Sequence, residues 1–170
     1  MLVRYNCFMI VILNGPINAG KTTIAQLLCR KIPNTAHVEV DKVREFIDWM
    51  EGSEGWVISF ETAIEIAKKF VEKGLNVIFT YHISKEDYEE IVKNLHPHDQ
   101  HIYAFTLKPT KKVLLQNRGN REMSQREINR INELYDREMY RSYGEIIDNT
   151  NQKPDETADI IYERIRLDLG

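Results

Sequence analysis

Hydrophobic and polar positions along this chain fall into two alternating kinds of block. Short apolar runs occupy Cys7–Leu13, Leu75–Thr80 and Ile102–Leu107, with an alternating stretch at Ala36–Val40 and a brief one at Glu145–Asp148. Runs of four to eight residues rich in Val, Ile and Phe predict strands, and solid ones predict strands covered on both faces. The stretches between them follow the helical period. Thr22–Ile32 and Lys42–Met50 predict the first two helices, and Gly52-Ser53-Glu54-Gly55 predicts a break. A longer helix carries Phe60, Ala63, Ile64, Ala67, Phe70 and Val71 on one face and stops at Gly74. Ser84-Lys85-Glu86-Asp87 predicts an N-cap for a helix to Leu95, and Pro109 predicts the start of one ending near Arg118. Ser124-Gln125-Arg126-Glu127 is a capping box for a helix burying Ile128, Ile131, Tyr135 and Met139. Pro154 opens the last helix, with Ala158, Ile161, Ile165 and Leu169 facing inward. Phe46, Trp49 and Trp56, at helical spacing, are expected to pack into the core, with walling an acceptor pocket as the alternative.

Strand and helix in regular alternation predict an α/β fold in three layers, a five-stranded parallel sheet with helices on both faces. No internal repeat, linker or low-complexity tract interrupts it, so residues 1–170 are expected to form one domain.

Composition changes this picture only by exclusion. The formal charge is -3, which argues against nonspecific nucleic-acid binding, a task for a basic surface. Cys7 and Cys29 are the only cysteines, too few for a disulfide framework or a cysteine metal site, and they suit a reducing cytoplasm. The N-terminal apolar run is far too short to cross a bilayer. Met9 is a second place for such a chain to begin, so residues 1–8 are expected to be a dispensable extension. The expected partners are small molecules, with no nucleic acid and no membrane, and the expected state is a monomer or homodimer.

Between the first strand and the first helix lies Gly15-Pro16-Ile17-Asn18-Ala19-Gly20-Lys21-Thr22, followed by Thr23. This is a complete phosphate-binding loop in the strand-to-helix context where it works. Backbone N–H groups point at phosphate oxygens there, and the helix N-terminus adds a favourable dipole. Lys21 is placed to reach the β- and γ-phosphates, and the Thr22 hydroxyl to ligate Mg²⁺.

Ligands of an open parallel sheet bind outside the carboxyl ends of its strands, and that rule sorts the remaining candidates. Asp41 is expected at the end of the second strand, Tyr81 and His82 just past the third, and Asn149–Asn151 just past the fifth. Asp41 is the candidate catalytic carboxylate, able to accept an acceptor proton or hold Mg²⁺ through water. An aspartate there also serves as a helix cap. Glu39, two residues earlier on the same strand face, is placed to share the metal but carries no catalytic assignment. Arg44 lies one turn after Asp41, where it can clamp an acceptor or simply face solvent. Arg118 and Arg121 flank Gly119-Asn120, a pattern suited to a short lid over residues 118–130. Arg126 and Arg130 read more simply as part of a charge-laced helix face. His96, His98 and His101 sit at the opposite end of the sheet from the phosphate loop, which argues against a metal there.

In these residues the chain resembles the small P-loop kinases of the adenylate kinase and shikimate kinase type over nearly its whole length. The resemblance rests on Gly15–Thr23, Asp41-Lys42-Val43-Arg44, Asn117-Arg118-Gly119-Asn120-Arg121 and Ile147-Asp148-Asn149-Thr150-Asn151. Ile12-Leu13-Asn14-Gly15 with Ala19-Gly20-Lys21, Asp41 and Tyr135-Asp136 is similar to chloramphenicol phosphotransferase. The resemblance implies strand order 2-3-1-4-5, with ATP and Mg²⁺ as cofactors. It implies Asp41 as acceptor-site base, Arg44 as an acceptor ligand, Arg118 as an adenine or phosphate contact, and Arg121 as a lid arginine. Asn149 and Asn151 would lie beside the adenine. The third strand departs from several of these families, ending in Phe79-Thr80-Tyr81-His82 with no carboxylate. Mg²⁺ is then expected to rely on Thr22, the phosphates and Asp41. The expected activity is ATP-dependent phosphoryl transfer to a small molecule. A nucleoside monophosphate kinase, and an ATP-binding regulatory module without an acceptor, are the alternatives.

Overall fold

The computed structural model describes residues 8–95, 101–116, 122–136 and 143–169. Five strands form one sheet: β1 (Met9–Asn14), β2 (Thr35–Glu39), β3 (Asn76–Thr80), β4 (His101–Leu107) and β5 (Glu145–Ile147). Every pairing is parallel and the spatial order is β2-β3-β1-β4-β5. Among the described residues the helices are α1 (Lys21–Lys31), α2 (Val40–Arg44), α3 (Ser53–Glu72), α4 (Lys85–Leu95), α5 (Lys111–Leu114), α6 (Gln125–Asp136) and α7 (Pro154–Leu169).

The pleat of the central strand divides the core in two. Val11 and Leu13 of β1 face one side and pack with Ile24 and Leu28 of α1 and Ile161 and Ile165 of α7. Ile10 and Ile12 face the other, against Phe60, Ala63, Ile64 and Ala67 of α3 and Ile91 of α4. All four β1 side chains are fully buried, and each such aliphatic contributes roughly 1.5–3 kcal/mol. A strand buried on both faces and paired on both edges is a rigid mount, and its last residue leads straight into the phosphate loop.

Several predicted boundaries move. Asp41 is not at the end of a strand but inside the first turn of α2, whose N-terminal flank is Glu39. The expected helix over Lys42–Met50 stops at Arg44 and gives way to a 3₁₀ turn, Glu45–Ile47. The predicted break at Gly52–Gly55 is confined to Gly52, at φ 83, and α3 already runs from Ser53. Gly55 is buried inside that helix because the Arg44 guanidinium lies against it, 3.0 Å from where a Cβ would stand. Pro109 precedes the helix it was expected to start, since Thr110 is the flank of α5. The capping box of α6 forms as predicted: Ser124 N–H donates to Glu127 Oε2 at 2.9 Å, and Glu127 N–H donates to Ser124 Oγ at 3.3 Å. In α6 Leu134, not Tyr135, joins Ile131 in full burial, while Met139 lies outside the described residues.

The largest correction concerns the aromatics. Phe46 is 82% exposed, Trp49 74% and Trp56 38%, so none of the three belongs to the core. Helical spacing implied a shared inward face, but α2 ends before Phe46 and the turn that follows projects Phe46 and Trp49 outward. No helix among the described residues is long and apolar enough to cross a membrane.

Candidate active site

The carboxyl ends of β1, β2 and β3 meet beside the N-terminus of α1. From β1 the chain turns through Gly15 at φ 145, Asn18 at φ 64 and Gly20 at φ 94 before α1 begins at Lys21. Gly15 has no room for a side chain, since a Cβ there would stand 2.8 Å from the Leu107 carbonyl oxygen of β4. Buried Ala19 closes the loop on itself, its N–H donating to the Pro16 carbonyl at 3.2 Å.

Lys21 Nζ donates to the Gly15 and Pro16 carbonyls, each at 2.9 Å, which holds the ammonium over the loop. Burial pushes it below the usual lysine value, opposed by the carboxylates of Asp41 and Glu39. The Thr22 hydroxyl donates to Glu39 Oε1 at 2.5 Å. Glu39 ends β2 directly opposite Thr80, the last residue of β3. The carboxylate that the third strand lacks is thus present one strand over, bonded to the threonine of the phosphate loop. The sequence reading left Glu39 without a catalytic assignment. The available signal was its place two residues before Asp41 at a strand's carboxyl end.

Asp41 keeps an exposed face, but loss of solvation around its carboxyl raises its pKa, with Glu39 and Glu45 adding to the rise and Lys21 opposing it. His82 is half-buried just past β3, and desolvation with the nearby Lys21 and Arg130 charges lowers its pKa to about 4. It is therefore a neutral imidazole at physiological pH. Its segment is pinned by Ile83 N–H, which donates to Asn14 Oδ1 at 3.1 Å, while Asn14 Nδ2 donates to Thr106 Oγ1 at 3.2 Å. Burial, with the charges of Asp87 and Asp41, raises the Tyr81 phenol to about 12.

Two predicted loop residues turn out to hold the scaffold as well. Asn18 Nδ2 donates to the carbonyls of Leu114 at 2.7 Å and Gln116 at 2.9 Å, tying the loop to the end of α5. Asn149, 4% exposed after β5, donates from Nδ2 to the Ala19 carbonyl at 3.0 Å, and its buried Oδ1 has no hydrogen-bond partner among the described residues. Asn151 is exposed in the next turn, and Thr23 is exposed on α1.

Arg44 sits apart from this group. Its guanidinium donates to the carbonyls of Ile47 and Met50 and lies over the Trp56 ring at 5.6 Å, so it braces the turn that follows α2. Arg118 and Arg121, with the rest of the Asn117–Arg121 motif, lie outside the described residues.

No protein-family model matches the chain, and no curated protein matches it by sequence. Solved structures do match its fold. The tunicamycin resistance protein of Deinococcus radiodurans is 19% identical, with 93% of this chain and 95% of that one covered at a TM-score of 0.63. Shikimate kinase from Acinetobacter baumannii, in complex with shikimate, is 19% identical over 96% of both chains at 0.65. The Mycobacterium tuberculosis APS kinase in complex with AMPPNP and APS is 12% identical, over 94% of this chain and 98% of that one, at 0.63. The fold is that of the small P-loop kinases.

Proposed function

We propose that this protein is a Mg²⁺- and ATP-dependent phosphotransferase that moves the γ-phosphoryl group of ATP to a hydroxyl of a small molecule. One observation carries the reading. Glu39 is bonded to Thr22, and the charges of Glu39 and of Asp41, two residues on, both bear on the loop lysine, which supports a shared place for donor and acceptor.

The residues fit both ATP and the metal. Gly15–Lys21 offers a loop with three positive-φ positions and a lysine held over it, and Thr22 with Glu39 offers a hydroxyl–carboxylate pair suited to a hard cation. Thr22 and Glu39 would hold Mg²⁺ there, and the ion would supply neutralisation of phosphate charge. Lys21 exchanges two neutral carbonyl partners for phosphate oxygens, a stronger charge-assisted pairing. Asp41 accepts the acceptor's hydroxyl proton as the new O–P bond forms and the bond between the γ-phosphorus and its bridging oxygen breaks, releasing ADP. His82, being neutral, adds no charge and can hydrogen-bond the acceptor. Arg118 and Arg121 are proposed to stabilise the transferring group, and Asn149, with its free Oδ1, and Asn151 to border the base.

The kinase fold shared with enzymes named for shikimate and APS supports transfer to a small-molecule hydroxyl. Calorimetry of ATP binding with and without Mg²⁺, on wild type and Glu39→Gln, tests the reading. Mg²⁺ should tighten wild-type binding strongly and the variant's much less. Equal Mg²⁺ dependence would remove Glu39 from the site, and absence of ATP binding would remove the proposal.

A further inference from the structure

The segment from Asp41 to Trp56 has a composition unlike the rest of the chain. It holds five acidic residues (Asp41, Glu45, Asp48, Glu51 and Glu54) against two basic ones, Lys42 and Arg44. Its net charge of -3 equals that of the whole protein. Interleaved with those acids are Phe46 and Trp49, among the most exposed large apolar side chains described, and Trp56 at the start of α3. Glu45, Asp48, Glu51 and Glu54 are exposed beside them.

This face is built rather than left loose. The Arg44 guanidinium binds the Ile47 and Met50 carbonyls, lies over Trp56, and occupies the space left by the missing side chain of Gly55. One half-buried cation therefore fixes the turn that presents Phe46 and Trp49. The face also runs into the proposed transfer centre. Trp56 lies 6.2 Å from Tyr81, ring centroid to centroid, and Tyr81 stacks on Phe60 at 5.6 Å, immediately after the end of β3.

Aromatic rings interleaved with carboxylates attract organic cations, through the ring quadrupole and through charge complementarity, and repel anions. The guanidinium that a phosphorylated acceptor would use is committed to two carbonyls. We infer that the acceptor bound between the Phe46–Trp56 face and Asp41 is a cationic alcohol, an amine-bearing molecule with an apolar or aromatic body. This rests on the phosphotransferase reading and names the substrate class of that site. The step is the one already written, with the hydroxyl proton passing to Asp41 and ADP leaving, and the ammonium resting on the aromatic face unchanged.

Trp49 and Trp56 are the only tryptophans, so intrinsic tryptophan fluorescence reports this face directly. The full chain is titrated, without nucleotide, with three probes sharing a phenyl ring and a hydroxyl. These are 2-amino-1-phenylethanol, 1-phenylethanol and mandelate, with adenosine monophosphate as a fourth. The inference predicts tightest binding for the amine, intermediate for the neutral alcohol, and at least tenfold weaker binding for mandelate and adenosine monophosphate. Trp49→Ala should weaken the amine about tenfold and Trp49→Phe should restore it, which separates loss of the aromatic face from loss of the fold. Mandelate or adenosine monophosphate binding as tightly as the amine would overturn the assignment. So would a signal that ignores every probe and follows protein concentration, because the face would then be covered by a second copy of the chain. ATP binding, measured separately, tests the phosphotransferase reading on its own.

Discussion

The two halves of the proposed site are built by opposite means. On the proposed donor side, the strand feeding the loop is buried from Ile10 to Asn14, Gly15 has no space for a methyl group, and Asn18, Asn149 and Lys21 tie the loop to α5, to the chain after β5 and to itself. On the proposed acceptor side, a short helix gives way to a 3₁₀ turn, the large side chains face solvent, and one arginine holds the turn. Triphosphate chemistry is the same for every enzyme that uses it, so its cradle can be rigid. An acceptor site must match one molecule, and a braced surface turn can vary without disturbing the core.

The sharpest way to break the comparison is at the loop lysine. Lys21→Met should reduce phosphoryl transfer by about a thousandfold or more, because no other described cation is bonded within the loop. Circular dichroism melting should move little, and undiminished turnover in this variant would refute the donor assignment. Asp41→Asn comes next, with a loss of about a hundredfold to ten-thousandfold in kcat.

The pH dependence of Asp41 has a definite sign. Its folded pKa is raised, so the folded state holds that proton more tightly than the unfolded chain does. The group thus contributes stability below its unfolded pKa that is lost as pH rises through the folded pKa. Activity runs the other way and falls as pH drops through the same raised value. Asp41→Asn should accordingly keep only that residual activity, without the fall toward low pH, yet be no less stable at neutral pH, and a thermal melt beside a pH–rate profile checks both.

Two glycines compare the regions by stability alone. Gly15→Ala combines a positive φ with a 2.8 Å approach to backbone and should cost about 2–4 kcal/mol. Gly52→Ala also has a positive φ but meets nothing within 4 Å, and should cost about 1 kcal/mol. Urea denaturation of both variants measures the difference, and equal losses would contradict the contrast. The smallest effect is expected at Trp49→Ala, within about 0.5 kcal/mol in the same experiment, because the side chain is mostly in water.

The same contrast decides what could be read from the sequence. The phosphate loop, the five strands and the capping box of α6 were legible because each is a local pattern with a local cause. Leu13 must be apolar to be buried, and Ser124 and Glu127 must be three apart to bond each other's backbone. The core reading of Phe46 and Trp49 failed because the turn that exposes them is held by Arg44 reaching forward to Ile47 and Met50, which no periodicity reveals. Gly55 was misread as a break for the same reason: it is small to admit a side chain from another element. Glu39 was undervalued because its meaning comes from Thr22, 17 residues away in sequence and one hydrogen bond away in space.

The central claim is that this cleft moves a phosphoryl group from ATP to an alcohol. Phosphorus-31 NMR of the full chain with Mg²⁺, ATP and 2-amino-1-phenylethanol, set beside a broad mixture of hydroxyl-bearing metabolites, follows that transfer atom by atom. The account predicts that wild type converts the γ-phosphate resonance into a phosphomonoester in step with ADP, and that Lys21→Met does not. ATP bound by wild type and left intact, or converted only to ADP and inorganic phosphate across the whole mixture, would contradict it.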